Sequence, residues 1–138
     1  MIKIGLDNGI HVRSNRRIIT RDILPAELDY PFEKDYSDSP EILYWRKNWG
    51  MRNEVVNTFV PEDDNEYHYL IETPEQVFTL IRIIVSWINE TKWEESGNSI
   101  WEYNEILPIL QRDVINLAII AAFMKNNYDI YLDFYDSY

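Results

Sequence analysis

Apolar residues repeat along this 138-residue chain with two different periods, and the change of period marks out its elements. Ile2, Ile4 and Leu6 alternate with Lys3, Gly5 and Asp7, the spacing of a half-buried strand. Asp7-Asn8-Gly9 carries hairpin-turn chemistry, because Asn and Gly accept the positive φ that tight turns need. Ile10 and Val12 continue on a second strand, and Ser14-Asn15 offers a turn before a third short strand over 17–20. A small meander is therefore predicted at the start. Residues 22–38, rich in Pro, Tyr and acid without a sustained period, read as loop with one short helical turn.

Ser39-Pro40-Glu41 has the chemistry of a helix start, with Ile42, Trp45, Trp49, Val56 and Phe59 following at helical spacing and Pro61 ending the segment. Tyr67, Tyr69 and Ile71 then alternate with His68, Leu70 and Glu72 as a strand. Thr73-Pro74-Glu75-Gln76 is a capping box, and it opens a helix whose buried stripe is Val77, Leu80, Ile81, Ile84 and Ile88. Ser96-Gly97-Asn98 breaks the chain, and Asn98 or Ser99 caps a third helix. Residues 101–124 are apolar on more than one face, which predicts a central helix, kinked or split at Pro108. Ile130, Leu132 and Phe134 alternate with Tyr131, Asp133 and Tyr135 as a closing strand. The predicted fold is one α+β domain: a small antiparallel or mixed sheet (N-terminal meander, middle strand, C-terminal strand) packed against three α-helices.

Composition narrows the chemistry. With 46% hydrophobic and 14% aromatic residues the chain is too apolar to stay disordered. It has no cysteine, and its two histidines, His11 and His68, form no ligand pair, so no metal centre is predicted. There is no glycine-rich phosphate loop and no Gly-x-Ser-x-Gly elbow, and no cofactor is expected. The longest apolar run, 114–124, is about half a bilayer span, and Lys3 and Asp7 interrupt any secretory apolar core, so a cytoplasmic protein without membrane contact is predicted. Net charge is −11 and uneven. Through Arg21 the chain sets Lys3, Arg13, Arg16, Arg17 and Arg21 against Asp7 alone, and acid gathers in 27–38, 62–75, 90–105 and 129–136. Such a chain repels free nucleic acid and favours basic proteins.

Several residues stand out. Tyr44, Trp45, Arg46 and Lys47 make a basic-aromatic patch on the predicted first helix, suited to an acidic group or to an internal ion pair. Asp113 falls on the apolar stripe of Ile106, Leu110, Leu117 and Met124. A buried carboxylate there must be paired or protonated: Arg46 and Arg52 are the candidate partners, and the alternative is a catalytic acid, for which the sequence offers no second titrating group. Asp7 and Asn8, with Asp129 or Asp133, would form an oxygen-rich cation site only if the terminal strands paired; the first expectation remains a turn. Glu62, Asp63, Asp64, Glu66, Asp133 and Asp136 are candidates for an acidic binding surface in which carboxylates stand in for phosphates.

Gly5-Leu6-Asp7-Asn8-Gly9-Ile10, Tyr44-Trp45-Arg46-Lys47, Arg52-Asn53 and the ending Phe134-Tyr135-Asp136-Ser137-Tyr138 together resemble a family of small hypothetical proteins of bacteriophages, prophages and gut Firmicutes. The resemblance spans both ends and the Tyr-Trp-Arg-Lys segment. It implies a mobile-element accessory protein and no particular activity. Joined to the charge, it predicts a non-enzymatic protein that inhibits a basic, nucleic-acid-handling host complex, such as a CRISPR defence system. The alternatives are a structural or self-associating module and a carboxylate- and metal-dependent hydrolase.

Overall fold

The computed structural model describes residues 6–34, 38–59, 68–95 and 102–137. The described elements are β1 (Asp7–Ser14), β2 (Glu41–Arg46), α1 (Trp49–Phe59), β3 (His68–Ile71), α2 (Pro74–Trp87), α3 (Glu90–Glu95), α4 (Tyr103–Met124) and β4 (Ile130–Ser137). The strands form one antiparallel sheet in the order β2-β1-β4-β3. The fold is thus α+β with a small sheet, as the periodicity predicts, carrying three substantial helices and the short α3.

Two local expectations give way. Asp7-Asn8-Gly9 is not a turn but the start of β1, paired with β2 on one side and β4 on the other. Asn8 spends its side chain on strand pairing, donating from Nδ2 to the Tyr135 carbonyl at 3.0 Å. The predicted meander is absent from the described residues, since β1 is one strand and 17–20 is not a strand. Ser39-Pro40-Glu41 leads into strand β2 rather than a helix, because Ile42, Leu43 and Trp45 bury there completely or nearly so. Pro40 suits the start of an edge strand, and its carbonyl accepts from Val12 N at 2.9 Å. The register steps from Ile10↔Leu43 to His11↔Glu41, leaving Ile42 as a bulge. Lys47, at φ 52°, turns the chain out of β2, and the helix begins only at Trp49.

Elsewhere local signals prevail. Thr73 caps α2, accepting from Gln76 N at 3.2 Å while Gln76 accepts from Thr73 N. Val77, Leu80, Ile84 and Trp87 bury along α2. The helix α4 runs unbroken through Pro108: both Pro108 and Asn104, whose carbonyl loses its usual donor, face solvent. Tyr103 Oη donates to the Ile88 carbonyl at 2.8 Å, setting the start of α4 beside the end of α2, so the two helices run antiparallel. By length and composition α4 could cross a bilayer; here it packs on α2 and β2. Asn116, buried on α4, accepts from Asp29 N and donates to the carbonyls of Asp29 and Ile42, which fixes the loop before β2 against the core.

Candidate functional site

Alternation along the strands gives the sheet two unlike faces. Ile10, Val12, Trp45, Tyr69, Ile71, Leu132 and Phe134 are buried on the core side. The opposite face carries Asp7, Gly9, His11 and Arg13 from β1, Glu41, Tyr44 and Arg46 from β2, Tyr131, Asp133, Tyr135 and Ser137 from β4, and His68 and Leu70 from β3.

Two hydrogen-bonded groups lie across this face. In the first, Tyr135 Oη donates to Glu41 Oε2 at 2.5 Å, and the Tyr135 ring stacks on His11 with centroids 5.1 Å apart. His11 Nδ1 sits 2.8 Å from the Ser39 carbonyl, which can only accept, so that nitrogen bears the proton; Nε2 faces Glu41 at 3.5 Å. Gly9 makes the arrangement possible, because a Cβ there would come within 2.6 Å of the Tyr135 ring and hydroxyl. Burial, then the hydrogen bond to Glu41, pushes the Tyr135 phenol well above its ordinary range. In the second group Asp133, 5% exposed, accepts from Arg13 Nε at 2.9 Å and from His68 Nδ1 at 2.9 Å. The His68 side chain is 59% exposed on this face. Beside them burial, followed by a hydrogen bond to Asp7, raises Tyr44 to about 12, and Phe32 packs edge-on against its ring.

The candidates read from the sequence are redistributed. Asp7, Tyr44, Arg46 and Asp133 do share this face, but Arg46 lies at the end of a strand and Lys47 just past it, not on a helix. Trp45 points into the core, as do Asn8 and Asp136. Asp136, 8% exposed, is held by Arg52 at 2.5 Å and by the Asn8 amide, with the Tyr69 hydroxyl 3.3 Å away. The last strand therefore presents no free acidic edge: Asp133 and Asp136 serve as internal counterions. Glu62, Asp63, Asp64 and Glu66 lie outside the described residues.

Asp113 is fully buried as expected, yet its partner is neither Arg46 nor Arg52. Trp45 Nε1 donates to Oδ2 at 2.8 Å, and Arg112 approaches Oδ1 only to 3.7 Å. Burial outweighs both and raises the carboxyl to about 7. The terminal strands pair, but in a register that sets Asp7 opposite Ser137 and Asp133 opposite His11, so no joint cation site forms from them. Asp129 instead accepts from Ser14 and Arg17, which hold its carboxyl below the ordinary range. Among the described residues no group of three or more His, Asp or Glu is placed to hold a metal.

Sequence reasoning passed over His11, Arg13, Glu41, His68 and Tyr135. The available signal was the two-residue period itself. Reading 7–13 as one strand puts Asp7, Gly9, His11 and Arg13 on one side. A further set lies at the far end of the helical layer. Glu90, Glu94 and Glu95 of α3 and Glu102 and Glu105 at the start of α4 are exposed, without an ion-pair partner among the described residues. No family model matches the chain, and no curated protein or solved structure is significantly similar to it.

Proposed function

We propose that this chain is a non-catalytic binding protein whose glutamate-rich end engages a basic, nucleic-acid-handling partner. The observation that carries the reading is the separation of its carboxylates. Glu41, Asp133 and Asp136 of the sheet and Asp113 of α4 are buried and matched to Tyr135, Arg13, His68, Arg52 or Trp45, whereas Glu90, Glu94, Glu95, Glu102 and Glu105 stand exposed without an ion-pair partner among the described residues. Unmatched carboxylates on a helical support present fixed negative charge to the lysines and arginines of a groove that otherwise binds phosphates. The net charge of −11 supports the same partner class. The resemblance to phage and prophage proteins supports a host defence complex in the cytoplasm as its source.

The test is competition. Added to such a complex, the protein should displace DNA, most strongly at low ionic strength, and reversing Glu94 and Glu102 to Lys should abolish the effect while leaving the fold intact. Pull-downs from host lysate that recover no nucleic-acid-binding protein would sink the reading.

A further inference from the structure

The outer surface of the α2–α4 pair is apolar where solvent should meet polar groups. Phe78 is 39% exposed and Val85 51% exposed on α2, and Ile115 is 59% exposed on α4, followed one and two turns on by the exposed Ala118 and Ala122. These residues occupy the positions opposite the buried stripes Val77, Leu80, Ile84 and Ile106, Leu110, Leu117. Only 39% of the apolar stretch of α4 is buried. A helix apolar on this much of its circumference is normally covered on both sides.

The charges around the patch select its cover. Its exposed charged members are Arg82 within it and Glu72, Glu75 and Lys125 at one end. Charges of opposite sign at one end make the face complementary to a copy of itself, and that local pairing works against the repulsion between two chains of net charge −11. A second copy is the partner this pattern fits. The ends of α2 and α4 are already matched in level: Lys125 Nζ lies 5.9 Å from the Phe78 ring, and Glu75 and Lys125 line the same cleft. A twofold axis parallel to the helices preserves that level while laying each α2 on the other copy's α4. Glu75 then faces the second copy's Lys125, and the large Phe78 ring meets the small Ala122.

We propose that two copies of this chain associate through the α2–α4 face, with Phe78, Val85 and Ile115 as its apolar centre and Glu75–Lys125 as reciprocal ion pairs at its rim. The association uses a face separate from the glutamate-rich end.

Sedimentation equilibrium on the full chain tests this. The wild type should approach twice its 16.6 kDa mass with rising concentration. Ile115→Glu, placed at an exposed position, should weaken association on the order of a hundredfold by burying an unpaired charge, with unchanged circular dichroism. Lys125→Glu should weaken it less, and adding Glu75→Lys should restore it. A wild type that stays monomeric at every concentration overturns the proposal, as does an Ile115→Glu variant that dimerises as well as the wild type.

Discussion

Trp45 donates its indole N–H to the carboxylate of Asp113 at 2.8 Å, joining the edge strand β2 to the middle of α4 inside the core. One donor and a guanidinium at 3.7 Å do not replace the water lost, so the folded protein holds a proton on Asp113 up to about pH 7. The folded state therefore binds a proton that the unfolded chain releases near pH 4. This group's contribution falls as pH rises between those values and is flat above them. Asp113→Asn removes the dependence. Relative to that variant the wild type should lose on the order of 3–4 kcal/mol between pH 4 and pH 8. Urea unfolding of both proteins across the range is the measurement, and parallel curves would contradict the assignment.

Gly9 is a steric requirement of the open face. Gly9→Ala must displace the Tyr135 ring from Glu41, at a cost of about 1–3 kcal/mol. Tyr135→Phe removes the hydroxyl donor from the nearly buried Glu41 and should cost a similar amount. Because both changes act on one contact, thermal melts of the double variant should show less than the sum.

Arg52 neutralises Asp136 beneath α1, with side-chain exposures of 17% and 1%. Arg52→Met leaves that carboxylate in the core with only Asn8 and Tyr69 to satisfy it. A loss of about 3–5 kcal/mol is expected, and Asp136→Asn in the same background should recover much of it. Chemical denaturation of the single and double variants decides.

Asn116 holds the loop before β2 through two hydrogen bonds to the Asp29 main chain and β2 itself through one to the Ile42 carbonyl. Asn116→Ala should cost about 1–3 kcal/mol and open that loop to proteases first. Mass spectrometry of early proteolytic fragments would place the first cuts within 20–40. Cuts elsewhere would show that the clamp is not what holds the loop.

How far the chain could be read depended on where each element found its partners. α2 and β3 are legible because Thr73 and Gln76 satisfy each other three residues apart and Tyr69 and Ile71 keep strict alternation. β4 is legible for the same reason. Residues 7–9 and 39–46 mislead because turn and cap chemistry is local, whereas what decides them is distant: Asn8 bonds to the Tyr135 carbonyl, and Glu41 to the Tyr135 hydroxyl. Asp7, Tyr44, Arg46 and Asp133 of the open face stand out in the sequence, but as members of a turn, a helix and an acidic surface and not as one face. The geometry of that face is not legible there, because His11, Glu41 and Tyr135 become neighbours only when the first and last strands align. Asp113 was rightly singled out as a buried carboxylate, but no local rule names an indole as its partner.

The pairing of β1 with β4 carries a kinetic consequence. Asn8 and Tyr135 are 127 positions apart, so the central seam of the sheet closes a loop of nearly the whole chain before any of its ladder bonds form. Contacts this remote raise the contact order and slow folding relative to a helical bundle of equal size. The α2–α4 pair and the β3–β4 ladder close shorter loops, so they are the natural place for a folding nucleus. Substitutions there should change the refolding rate, whereas Gly9→Ala should act mainly by hastening unfolding.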